Sequence, residues 1–347
     1  MKYTFFTSLS VALSLPAVTL AAETNDAFNQ CLMTQMSTAD DTVTMGELRE
    51  YCTPVENQQI VEKAKHGEIR GAAIANAETG QQDDSAITRR TFLEKKEALN
   101  PFVLLPHRPN YIILSNNMSA PHQTPFEQAG DDVDFQPWET KFQISLKVPI
   151  ASGLFDGRAD AYVAYTNRSA WQMFNKEGSA PFRDSNHEPE IWLEFENDYE
   201  IFGVKNSMIR TGLSHQSNGQ SGPLSRSWNR VYADFIFEHE DLYLSFKPWW
   251  RIPESDDDDD NPDIDDYMGN FELGAVYKYG SHNFDVMLRN NLNLGDNHGA
   301  VQLGWTFPLA GRLKGYVQWF NGYGESLIDY NAHSNSIGVG VKVSDWL

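Results

Sequence analysis

The chain is poor in cysteine, in positive charge and in long apolar runs, and each shortage removes a class of protein. Only Cys31 and Cys52 occur in 347 residues, and no His or Cys cluster accompanies them to suggest a metal site. Lys and Arg number 27 against 48 Asp and Glu, a formal charge of −21 with a pI near 4.7. Nucleic acid rewards clustered cations and is excluded as a partner; a purely electrostatic attachment to an anionic membrane surface is equally poor. Past the N-terminal segment, no apolar run approaches the roughly 20 residues of a membrane-spanning helix. What is there suits a folded chain: 41% hydrophobic and 12% aromatic residues, more than a disordered chain of this acidity carries.

The N-terminal segment, MKYTFFTSLSVALSLPAVTLAAE, has Lys2, an apolar stretch from Phe5 to Leu20, and small residues at Thr19, Ala21 and Ala22. That pattern predicts a secretory signal peptide over residues 1–22, cleaved after Ala21 or Ala22. Export brings Cys31 and Cys52 into an oxidising compartment, where they are expected to pair. Residues 23–99 are polar and locally helical in character, as in RRTFLEKKEALN. They read as an accessory periplasmic extension, partly ordered at best.

From Asn100 to Leu347 the texture changes to alternation with a period of two. Phe142, Ile144, Leu146, Val148 and Ile150 share one parity, with Gln143, Ser145 and Lys147 on the other. The same holds for Ile191, Leu193 and Phe195 against Glu190, Glu194 and Glu196, and for Val301, Leu303, Trp305 and Phe307 against Gln302 and Thr306. Such strands fit a soluble sandwich, a soluble barrel, or a membrane barrel with lipid outside and polar groups inside.

Three features favour the membrane. The segments run about ten residues or longer, the span of a tilted membrane strand. Connections alternate between tight (EHED, KYGSH, PLAGR) and extended (NKEGSAPFRDSNH, PESDDDDDNPDIDD, GESLIDYNAHSNS). Aromatics such as Trp249, Trp250, Trp305, Trp319 and Tyr323 fall near segment ends, as interfacial girdles do. The expected fold is an all-β transmembrane antiparallel barrel of about twelve strands, with short periplasmic turns and longer extracellular loops. A mean hydropathy of −0.49 is no objection, since only alternate side chains meet lipid.

One stretch concentrates chemistry: Gly212 to Arg230, GLSHQSNGQSGPLSRSWNR. Along its first strand, His215 and Ser217 share parity with Ile209 and Leu213; on the next, Asn229 shares parity with Val231, Ala233, Phe235 and Phe237. If the apolar parity faces lipid, all three sit on the outside of the barrel, where polar groups are costly. The plain reading is an interfacial girdle, which tolerates them. The other is a nucleophile, a base and an orienting group: serine needs a base to take its proton, and the base needs a third group to fix its tautomer. An amide stabilises an imidazolium less than a carboxylate does, yet it avoids placing a charge beside lipid.

SHQSNG followed by SRSWNR, then KPWW, DDNPDIDDYMG and NGYGESLIDYN, resembles the bacterial outer membrane phospholipase A family. The likeness runs from about Asn100 to the end, in the same order as the family's motifs, with a weaker echo at RGAAIAN. It implies a twelve-stranded barrel in the outer membrane of a Gram-negative bacterium that hydrolyses glycerophospholipid acyl esters, depends on Ca²⁺ and acts as a homodimer. Carried over by motif, Ser217 matches the nucleophile, His215 the base, Asn229 the orienting group, and Gly219 a backbone donor of the oxyanion hole. The metal ligands would be the carbonyl of Gln220, the hydroxyl of Ser225 and Ser179 from the partner subunit, with Asp260 in the matching DDNPD segment. Oxygen donors of this kind suit Ca²⁺. Gln220 stands where the family often has arginine, and Gly222 where some members carry an aspartate tied to a second calcium site. The run Asp256 to Asp260 could hold Ca²⁺ only if its ligands converge, acidic loops being ordinarily solvated. Asn167 matches a polar residue of the family's dimer interface; a lumen-facing position is the alternative.

The expected activity is thus a calcium-dependent phospholipase (A1, also A2 and lysophospholipase) with a Ser-His-Asn triad switched on by dimerisation. The rival is a non-catalytic pore or calcium-binding surface barrel, and parity separates the two. A pore places its special polar residues in the lumen; here they fall on the lipid side. A soluble serine hydrolase is weakened by the lack of any G-x-S-x-G elbow.

Overall fold

Alternating side chains give each strand two unlike faces, and in lipid a single sheet satisfies all its backbone groups only by closing on itself. The computed structural model describes residues 85–98 and 103–345, apart from positions 132, 177–179, 202, 256, 258 and 312. The expected signal peptide, Cys31, Cys52, Ser179 and the terminal Trp346 and Leu347 lie outside the described residues.

The strands are β1 (Leu105–Pro106), β2 (Asn110–Asn117), β3 (Trp138–Gly153), β4 (Ala159–Trp171), β5 (Phe182–Ile201), β6 (Val204–Ser217) and β7 (Ser227–His239). They continue as β8 (Leu242–Ile252), β9 (Phe271–Tyr279), β10 (His282–Asn290), β11 (Gly299–Ala310), β12 (Leu313–Tyr323) and β13 (His333–Ser344). Each strand from β2 onward pairs with the next, and β13 returns to β2 through pairs such as Val339↔Leu114, all antiparallel. The expected twelve-stranded barrel is therefore closed, with β1 as a short addition on β3.

The polar face is the buried one. Gln143, Ser145 and Lys147 are almost fully enclosed, whereas Ile144 and Ile150 are 51% and 53% exposed. This inversion of a soluble protein is what lipid outside and a packed lumen require. Several buried charges in the lumen are paired, since an unpaired ion there costs several kcal/mol. Arg108 binds Glu188 and Glu190 at 2.7 Å each, Arg210 binds Glu194 at 2.8 Å, and Arg230 binds Glu188 at 2.7 Å. A cavity of about 260 Å³ is left among them.

The last part of the polar extension is a helix, α1 (Ala86–Ala98). Its Glu94 reaches the lumen's Lys147 at 2.7 Å, its Lys95 meets Glu196, and the Ala86 amide donates to the Tyr243 hydroxyl at 3.0 Å. The helix thus sits at the end of the barrel that carries the tight turns.

Three expectations need correction. FRDSNH belongs to β5 and HSNS to β13 rather than to loops, because polar residues continue the strands past the membrane rim. Trp249 is not part of the girdle: alternation turns it inward against Trp228, ring centroids 6.0 Å apart, and leaves Trp250 60% exposed outside.

Candidate active site

The site is assembled where β5, β6 and β7 reach the end with long loops. The register places His215 opposite Asn229 and Ser217 opposite His187. Leu213, Val231 and Trp250 flank this surface and are 49%, 38% and 60% exposed, while Ser214 on the other face bonds Glu188 in the lumen at 3.0 Å. His215, Ser217 and Asn229 therefore lie on the outside, as parity required. Gly212 permits this geometry, since a Cβ there would come within 2.3 Å of the Ile191 carbonyl oxygen and hold β6 away from β5.

His215 Nδ1 and Asn229 Oδ1 are 2.9 Å apart. Ser217 follows on the same face of the strand. Its hydroxyl is not hydrogen-bonded to the imidazole, a looseness common before substrate closes such a site.

Beyond Ser217 the chain leaves the strand through Gly219, whose φ of +65° suits glycine. Asn218, buried beneath the loop, ties it together: Oδ1 accepts from the Gln220 amide at 3.3 Å and the Arg226 amide at 3.0 Å, and Nδ2 donates to the Leu224 carbonyl at 2.8 Å. Ser225 Oγ donates to Asp260 Oδ2 at 2.6 Å. Two of the expected calcium ligands thus meet, and Gln220 stands on the same loop, so the oxygen donors fit a hard cation. No group of three or more His, Cys, Asp or Glu is placed for a metal among the described residues. Asp259 of the acidic run pairs with Arg251 at 2.6 Å. On the neighbouring helix Ile264–Met268, burial pushes the Asp265 carboxyl above the usual range, and Arg251 offsets this in part.

Asn167 lies outside rather than in the lumen. It is opposite the exposed Ile144 and lies 3.4 Å from His187 Nδ1, which also meets the Tyr165 hydroxyl at 2.6 Å. Three residues around this end of the barrel carry no mark in the sequence. His187 was hidden by taking FRDSNH for a loop. Glu254 accepts a hydrogen bond from Asn229 Nδ2 at 2.7 Å, and nothing local marks it, because the contact depends on β8 lying beside β7. Arg183 is buried between Glu139 at 2.5 Å and Asp329 at 2.7 Å, which fastens the long-loop end.

A family model described as Phospholipase A1 matches residues 87–343. The chain is 37% identical to a phospholipase A1 of Escherichia coli over 71% of its own length and 83% of that protein. It is 42% identical to a putative phospholipase A1 of Neisseria meningitidis over 71% of its length and 64% of that protein. Among solved structures, outer membrane phospholipase A from Escherichia coli superposes with a TM-score of 0.67 at 36% identity, covering 72% of this chain and 94% of that one. An outer membrane phospholipase dimer with bound calcium from Salmonella typhi gives 0.66 at 35% identity, with the same coverage. Kinship and fold together make this an outer-membrane barrel that hydrolyses lipid esters. The chain belongs to the phospholipase A1 family.

Proposed function

We propose that the chain hydrolyses acyl esters of glycerophospholipids through Ser217, His215 and Asn229. The observation that carries this reading is the 2.9 Å contact between His215 and Asn229 on the lipid-facing surface, beside a serine of the same face. With Nδ1 bearing its proton toward Asn229, His215 Nε2 is free to accept the proton of Ser217. Ser217 Oγ adds to the acyl carbonyl, and the ester C–O bond breaks as His215 returns the proton to the leaving alkoxide. Water, deprotonated by His215, then releases the fatty acid and restores Ser217. The backbone N–H of Gly219 is the expected donor to the oxyanion of each tetrahedral intermediate.

Ser225, the Gln220 carbonyl and Asp260, with Ser179 from a second copy of the chain, would hold Ca²⁺. A bound cation there supplies positive charge to the developing oxyanion. Asn167, outward-facing, and the apolar surface around it suit self-association in the membrane, where an amide can bond its twin. Dimerisation then completes the metal site and sets activity. Sn-1, sn-2 and lysophospholipid esters all present the same carbonyl at the lipid boundary, so all three are expected substrates. Calcium-dependent fatty-acid release from phospholipid micelles, compared between wild type and Ser217→Ala, tests the reading.

A further inference from the structure

Asn229 is shared. Its Oδ1 faces His215 Nδ1 at 2.9 Å and its Nδ2 donates to Glu254 Oε1 at 2.7 Å. Glu254 lies just past Ile252, the residue that pairs with Asn229 across β7 and β8, and Pro253 between them restricts the turn that aims the carboxylate back. An ionised carboxylate only accepts hydrogen bonds, so the NH₂ end of the Asn229 amide must face it. The carbonyl end is thereby turned to the imidazole, which keeps the proton on Nδ1 and leaves Nε2 as the unprotonated acceptor. The neighbouring charges have other partners: Arg251 is engaged by Asp259 at 2.6 Å, and Asp260 accepts from Ser225 at 2.6 Å.

We propose that Glu254 is a positioning residue of the hydrolase, fixing the orientation of Asn229 and placing a negative charge one amide away from the imidazolium that forms on His215. The inference rests on the triad reading above. It explains how a site with a neutral orienting group still has a carboxylate behind the base: the charge is displaced toward the loop, away from the lipid.

The test is a double-mutant cycle on the full-length protein, with fatty-acid release from micelles as the assay and thermal unfolding in detergent as the check on folding. Glu254→Ala is expected to lower kcat by about 10-fold, as for loss of a hydrogen bond to a charged group, with KM little changed. Glu254→Gln keeps an acceptor and loses the charge, so its kcat should fall less than that of Glu254→Ala. Asn229→Asp alone sets two carboxylates against each other, which disfavours the charged pair. Adding Glu254→Gln to Asn229→Asp should therefore raise kcat, the opposite sign to its effect in the wild type. A merely structural glutamate gives no such reversal. Folded Glu254→Ala with wild-type kcat overturns the proposal, as does Glu254→Gln acting with the same sign in both backgrounds. Ser217→Ala, run alongside, separates the two ideas: if it retains full activity the triad reading itself fails, and if it is inactive while Glu254→Ala is normal only this inference fails.

Discussion

His215 and Asn229 are cross-strand partners on β6 and β7, joined at 2.9 Å between Nδ1 and Oδ1 on the side of the barrel that faces lipid. The contact makes the orientation of the imidazole a property of strand register. On the proposed triad, Asn229→Ala removes the group that would hold the tautomer while leaving both strands intact. Its kcat should fall on the order of 10- to 100-fold, with an unchanged unfolding temperature in detergent. Wild-type kcat in the folded variant would remove Asn229 from the mechanism.

Calcium dependence should map to the loop after β6. Ser225 Oγ lies 2.6 Å from Asp260 Oδ2, and losing one oxygen ligand weakens a hard-cation site without abolishing it. Ser225→Ala is expected to raise the calcium needed for half-maximal activity about 10-fold or more. Excess chelator should silence the wild type. Full turnover in chelator contradicts a role for the metal.

Arg183 governs stability more than chemistry. It is almost fully buried and bridges Glu139 on β3 to Asp329 in the loop before β13. Arg183→Met would leave two buried carboxylates without their cation, a loss of about 3–5 kcal/mol. Unfolding in detergent should occur at clearly lower temperature or denaturant concentration. An unaltered transition contradicts the pairing.

The lumen should not conduct. Ion-paired side chains line a cavity of about 260 Å³ within it, and α1 occupies the end with tight turns. Planar bilayers containing the purified protein are expected to show no steady conductance steps. Porin-like steps without fatty-acid release would favour the passive-pore alternative.

The barrel was legible in the sequence because a period of two needs no distant information. Ile144 outside and Lys147 inside follow from counting, and so does the outward placement of His215 and Asn229. Parity failed where the strands outrun the membrane: the polar FRDSNH looked like a loop, which concealed His187 opposite Ser217. It also does not reveal which residues meet across strands. Glu254 is 25 positions from Asn229, and only the pairing of β7 with β8 brings them together. The proposed metal loop is readable by family resemblance alone; its closure by Asn218 is not, since one buried asparagine among many polar residues carries no local mark.

On the proposed triad, Ser217 attacks the lipid ester. Purified wild type and Ser217→Ala, each shown to be a folded barrel by its unfolding in detergent, are compared for fatty-acid release from phospholipid micelles in the presence of Ca²⁺. The wild type is expected to release fatty acid, and Ser217→Ala none above the uncatalysed background. Equal rates from both proteins would contradict the proposed role of Ser217.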